Sequence, residues 1–382
     1  MRRQSPWIDE ELKMLSEHME RLIKSEFLPL AEQWQRSRII DRAAWRVAGS
    51  AGMLCASIPE DYGGGGGTLA HELVILQELD RAGLTDFSAG VSISSAIVAH
   101  YILAYGDDEQ KRRWLPGMAR GEVIGAIAMT EPGAGSDLKG MAATAARVAD
   151  GYRISGQKTF ITNGFHADLV IVAAKGPDTS SRSSISLFVV ETEGLEGFSR
   201  SKPLDKIGLR SQDTCELFFD NVHVDFRNRL GAEGEGFSQL TRQLAWERLV
   251  CAQAALIGIE RSVDLTVAYT KERSAFGRKV ADYQNTQFKL AECQTVAVVA
   301  RSFFDSLVPQ VLSNNLDPVT AAMAKWWITD AQSSVADECL QLHGGYGYMA
   351  EYAIARLWAD ARAMRIYAGT NEIMKMIISR SL

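Results

Sequence analysis

The stretch RIYAGTNEIMKM, Arg365–Met376, places a small-residue turn directly before a run with helical character. Turns of this kind leave backbone N–H groups unpaired, and such groups grip an anion or a polarised oxygen. Ala368 precedes the glycine and offers a backbone donor, but its methyl group cannot move a proton. Acid–base chemistry beside this turn therefore needs a side chain from elsewhere.

Further stretches carry suitable residue types. In AMTEPGAGSDL, Ala128–Leu138, Gly133, Ala134 and Gly135 let backbone pass close to a ligand, and Thr130 and Ser136 supply hydroxyls. A tight turn between domains is the alternative. In KTFITNG, Lys158–Gly164, Phe160 and Thr162 lie two apart and share a strand face. An aromatic beside a hydroxyl suits a flat heterocycle, and an ordinary hairpin strand has the same pattern. AWERLVCAQ sets Glu247 and Arg248 near the start of a long apolar helix, where the helix dipole stabilises a carboxylate. That helix ends at ERSAFG, with Arg273 and then Gly277. In QLHGGYGYMAEY, Gln341–Tyr352, two glycines after a helix fit a helix stop or a backbone approach to a ligand. DYGGGGG, Asp61–Gly67, lacks the Gly-Lys-Ser/Thr of a phosphate loop and reads as a flexible surface turn.

The elements that must position these residues fall into three regions. Residues 1–125 carry apolar residues at three- and four-residue spacing, the mark of amphipathic helices. LAHELVILQELDRAG is one of them and ends at a glycine. Residues 126–231 change to short β-branched and aromatic runs separated by Gly, Asn and Asp, which predicts an antiparallel sheet or barrel. Residues 232–382 return to helix in four segments, roughly 236–271, 281–311, 318–343 and 352–379, which predicts a four-helix bundle. The fold class expected is α+β, in the order helical domain, β domain, bundle.

A length of 382 residues suits two or three domains. The net charge of −6 argues against nucleic-acid or anionic-membrane binding. Six scattered histidines show no metal-ligand spacing, so no metal is expected. Five dispersed cysteines suit reduced thiols in a cytoplasmic setting. The N-terminal residues lack a signal-peptide apolar region, and their acidic residues disfavour a transit peptide. The apolar run Ala89–Gly106, broken by serines and His100, reads as a buried helix rather than a membrane span.

TEPGAGSD, FITNG, ERSAFG, QLHGGYGY and YAGTNEI, in this order and spacing, resemble the signature segments of the acyl-CoA dehydrogenases. The resemblance spans nearly the whole chain. It implies FAD held between the β domain and the bundle, with Ile127, Met129, Thr130, Gly135, Ser136, Phe160, Ile161 and Thr162 as flavin contacts on one subunit. Phe160 stands where many relatives have Trp. Arg273, Gln284, Gln341, Leu342, His343, Gly344 and Gly345 match residues that reach the FAD diphosphate and adenosine from a neighbouring subunit, and Thr370, Asn371 and Glu372 match further FAD contacts. A composite site of this kind implies an oligomer, usually a homotetramer built as a dimer of dimers.

The family's reaction removes the α proton and the β hydride of an acyl-CoA thioester. The resemblance assigns the Ala368 backbone N–H to the thioester oxygen. Many members carry a glutamate base at that position. Isovaleryl-CoA and long-chain acyl-CoA dehydrogenases instead take theirs from the bundle helix, in a Glu-Arg-Leu context that Glu247 matches. Ser136, Arg248, Tyr367 and Gly369 fall at substrate positions. The expected substrate is a medium- to long-chain or branched fatty acyl-CoA, with electron-transfer flavoprotein as acceptor. An oxidase or a desulfinase-like lyase of the same fold is the alternative, and a binding protein without chemistry is a further one.

Overall fold

A computed structural model describes residues 5–176 and 185–382. The N-terminal region is helical: α1 Glu10–Leu22, α2 Ala31–Ser37, α3 Arg42–Ser50, α4 Leu69–Ala82, α5 Thr85–Val91, α6 Ala99–Tyr105 and α7 Asp108–Ala119. Side-chain caps fix several starts. Asp9 accepts from Leu12 N–H, and Thr68–His71 and Asp107–Gln110 form reciprocal boxes. Gly83, at φ 89°, ends α4 as a left-handed residue should. Between α5 and α6 a π-helical segment, Ser92–Val98, continues the rod. Thr85–Tyr105 is long and apolar enough to cross a membrane, and 67% of its apolar window is buried inside the protein.

The middle region holds β1 Gly125–Ala128, β2 Thr144–Val148, β3 Gly151–Thr162, β4 Leu169–Lys175, β5 Ile185–Glu191, β6 Phe198–Arg200, β7 Thr214–Asp225 and β8 Arg229–Leu230. These form one sheet in the order β6-β7-β3-β2-β4-β5-β8, with β1 beside β4. The sheet is mixed, which corrects the antiparallel expectation: β1 runs parallel to β4, as does β2 where Thr144 meets Lys175. The long chain path between β1 and β4 permits a parallel crossover that a tight hairpin cannot make. On β4, Leu169, Ile171 and Ala173 enter a core with Ile97, Tyr101 and Ile102, while Val170, Val172 and Ala174 enter another with Phe188 and Phe219. Both faces of this strand are covered, so its apolar run is continuous rather than alternating.

The C-terminal region contains α8 Gly236–Glu272, a small hairpin of β9 Ser274–Ala275 and β10 Arg278–Lys279, then α9 Gln284–Leu312, α10 Pro318–Leu342, α11 Ala353–Met364 and α12 Asn371–Ser379. The fourth expected helix, 352–379, is thus two helices. They part at the turn after Met364, where Ala368 and Gly369 take φ 54° and 88°. A helix cannot pass through two left-handed residues. Leu73, Leu76 and Leu79 of α4 share a core with Leu249, Leu256 and Ile259 of α8. Trp246 Nε1 donates to Ala96 O at 2.6 Å and Gln253 Nε2 to Leu73 O at 2.9 Å, tying α8 to the N-terminal helices.

The glycine run 63–67 is not a flexible turn. Its amides donate to Glu60, Pro59, Cys55, Ile58 and Ala56 carbonyls. A Cβ on Gly64 would stand 2.2 Å from Ile58 O, so close backbone approach demands glycine there.

Candidate active site

The loop after β1 and the end of β3 are built as one unit. Thr159 N–H donates to Thr130 O at 2.9 Å, and Lys158 Nζ donates to Met129 O at 3.1 Å and to Glu131 Oε1 at 2.7 Å. Lys158 is fully buried. Burial lowers its pKa, and the Glu131 carboxylate opposes that. Glu131 also accepts from the Ala142 and Ala143 amides. A buried pair of this kind is costly to break, so it fixes where Thr130 sits. β3 carries a bulge against β7 between Lys158 and Ile161. Inside it Phe160 adopts φ 58° and is 68% exposed. Ile161 points into the core while Phe160 and Thr162 face outward, the shared face that the sequence spacing implies. Asn163 donates to the carbonyls of Gly90 and Gly125 and pins the strand end against α5 and β1.

Glu247 is 6% exposed on α8. Its Oε1 accepts a 2.8 Å hydrogen bond from the Tyr101 hydroxyl, and no ion pair claims the carboxylate among the described residues. Burial pushes its pKa from 4.5 up to about 7, against the opposing effects of the Tyr101 hydrogen bond and the Arg248 charge. Arg248 is also buried, and its Nε has no partner among the described residues.

One turn beyond Glu247, Cys251 Sγ approaches Met364 O at 3.8 Å. This contact sets the same side of α8 against the turn that carries Ala368. That turn is held from below. The buried Lys325 of α10 donates to Gly369 O at 2.7 Å and Asn371 Oδ1 at 2.9 Å, and Asn371 donates to Thr329 Oγ1 and Asp330 Oδ1. Thr370 caps α12 through Ile373 N–H. The Asn371 side chain is therefore spent inside the chain, while Glu372 is exposed. The Ala368 N–H has no hydrogen-bond partner among the described residues.

A separate cavity of about 630 Å³ lies where α8 and α10 end. Arg273, Gln341, Leu342, His343, Gly344 and Gly345 line it, with Tyr346 beneath the Arg273 guanidinium at 5.6 Å. His343 stacks on Tyr269 at 4.3 Å and bonds Cys339 O, so its ring supports the wall. Gln284 is exposed at the start of α9. Among the described residues no hydrogen bond joins this cavity to the Thr130–Phe160 unit. No residue of that unit lines the cavity, so the expected cofactor residues fall into two groups on the chain.

Residues 9–122, 126–222 and 234–382 match, in turn, the N-terminal, middle and C-terminal domains of acyl-CoA dehydrogenases. The chain belongs to the acyl-CoA dehydrogenase family. It is 43% identical over 368 residues to the mitochondrial long-chain specific acyl-CoA dehydrogenase of Rattus norvegicus, covering 96% of this chain and 85% of that one. It superposes on the crystal structure of an acyl-CoA dehydrogenase from Geobacillus kaustophilus with a TM-score of 0.95 at 44% identity, over 99% of both chains. An acyl-CoA dehydrogenase from Bacillus anthracis complexed with FAD superposes with a TM-score of 0.92 at 30% identity, over 99% of this chain and 68% of that one.

Sequence reasoning missed several residues that build this candidate site: Tyr101, Lys158, Glu131, Asn163 and Lys325. A lysine inside a strand-like run, at Lys158, is a readable signal because burial demands a counter-charge. Nothing in the spacing of Tyr101 and Glu247, 146 residues apart, announces their contact.

Proposed function

We propose that the chain dehydrogenates a fatty acyl-CoA thioester, medium- to long-chain or branched, to the trans-2-enoyl-CoA, with Glu247 taking the α proton. The observation that carries this is a buried carboxylate without a cation partner, its pKa pushed up to about 7, on the side of α8 that faces the Ala368 turn. A base with a pKa near the working pH removes a proton most effectively. The Ala368 N–H, unpartnered within the chain, is available to the thioester oxygen as it gains enolate character. Donors of this type contribute about 3 kcal/mol to the transition state. Lys325 holds the Gly369 carbonyl and so keeps the neighbouring amide aimed. Retention of a buried Glu247 favours dehydrogenation over the lyase alternative.

FAD is the cofactor, and the residues fit it. Gly133, Gly135 and Gly345 have ordinary φ, and a Cβ on each would meet only open space. Neither conformation nor internal packing requires glycine there, whereas a flat cofactor lying against the backbone does. Phe160, held outward by its bulge, offers a ring face, and Thr130 and Thr162 offer hydroxyls to a polar ring edge. Bound there, FAD supplies the hydride acceptor. Arg273 and the segment 341–345 would hold the diphosphate and adenosine of a cofactor bound by a neighbouring subunit, in a homotetramer. The proposal extends to electron-transfer flavoprotein as acceptor and to a cytoplasmic location.

An acyl-CoA panel with an artificial electron acceptor tests the reaction and the chain length. The likeness to the long-chain enzyme of Rattus norvegicus supports the long end of the range. Glu247→Gln should retain FAD and acyl-CoA binding and lose most turnover. Near-wild-type rates from that variant would remove Glu247 as the base.

A further inference from the structure

We propose that Tyr101 is the positioning residue of the base, fixing which carboxylate oxygen takes the proton and keeping the anion populated near neutral pH. This rests on the reading of Glu247 as base. The Tyr101 hydroxyl lies in an apolar core with Ile97, Ile102 and Leu169, where an unpaired hydroxyl is costly. Glu247 Oε1, at 2.8 Å, is its partner. A hydroxyl donating to one oxygen stabilises the carboxylate over the acid. Among the described residues no hydrogen bond reaches Oε2, which is left to receive the α proton.

The contact crosses from the N-terminal helical domain to the bundle, and the chain takes an unusual path to make it. The π-helical segment Ser92–Val98 precedes α6 and changes its rotational phase relative to α5. An unbroken α-helix would turn the Tyr101 side chain to another direction. The ring itself is steadied by Tyr105, with centroids 6.0 Å apart. The titratable groups facing the carboxylate are Tyr101 and Tyr105 from α6 and Arg248 on α8 itself. One turn further along α8, Cys251 faces Lys325 of α10 and Tyr367 of the α11–α12 turn.

Tyr101→Phe keeps the ring and removes the donor. In the flavin-loaded enzyme, the acid limb of the kcat profile should move up by about one pH unit, the size expected for losing one hydrogen bond to a charged group, and kcat at pH 7 should fall about fivefold with little change in KM. Tyr101→Met, also without a donor, should show the same displacement. Tyr105→Phe should leave the limb in place, because the Tyr105 hydroxyl donates to Gln239 O instead. The pH dependence of unfolding, compared between Tyr101→Phe and Tyr101→Phe/Glu247→Gln, reports the Glu247 pKa without turnover and should rise in step. An unmoved limb with kcat within about twofold of wild type overturns the role of Tyr101. If Glu247→Gln is inactive in the same assays, only that role falls. If Glu247→Gln remains active, the base assignment falls and the positioning role falls with it.

Discussion

Replacing Glu247 by Gln should stabilise the flavin-loaded, substrate-free protein, by an amount that grows with pH. The carboxyl is buried, and its pKa rises from 4.5 to about 7 on folding. A carboxyl that binds its proton more tightly in the folded state than in the unfolded one loses folding stability as pH rises between those two values. Below pH 4.5 both states carry the proton and the penalty is absent; above 7 it is fully present. A shift of this size corresponds to about 3 kcal/mol. The Gln side chain has no such titration, and its carbonyl can still accept from Tyr101. Any fixed cost of burying the new amide is the same at every pH, so the slope isolates the charge. Urea denaturation of both proteins at intervals from pH 5 to pH 8 measures it. The difference should widen in favour of the variant up to about pH 7 and then level off. A flat difference, or one that widens in favour of wild type, would refute the claim that an unpaired buried carboxylate sits at this site.

Two other substitutions probe the scaffold. Lys158→Met leaves the Glu131 carboxylate buried without its cation, which should cost about 3–5 kcal/mol in a denaturation series and reduce the flavin retained on dialysis. Adding Glu131→Gln should recover part of that loss, and an undiminished flavin content in the single variant would detach the pair from cofactor binding. Ala368→Gly keeps the backbone donor and relieves a left-handed alanine at φ 54°, so turnover should stay within about twofold of wild type. A tenfold fall would show that the methyl group itself matters.

The order of helical domain, sheet and bundle was legible because apolar period changes along the chain, from helical spacing to β-branched runs and back. The end of α4 was legible because its stop, Gly83, acts locally. The single long helix expected over 352–379 failed because helical periodicity outweighed a turn of only a few residues, and that turn carries Ala368. The flexible reading of Gly63–Gly67 failed because Gly64, Gly65 and Gly67 pack against backbone at Ala56 and Ile58, a demand that lies outside the run itself. The mixed sheet is not legible in the sequence because strand pairing is set by the crossover path rather than by the composition of each strand.

The sequence by itself determined the family, through five motifs whose residue types follow from local needs: small residues where backbone approaches a ligand, and capping residues where helices begin. It also named Glu247 as a carboxylate in the right segment. Tertiary structure alone decided how tightly that carboxyl holds its proton. Burial raises its pKa, a hydroxyl from another domain restrains one oxygen, and the core shared by α4 and α8 brings them together. Desolvation and hydrogen bonding depend on which surfaces exclude water, and residues 146 positions apart acquire that relation only when the chain has folded.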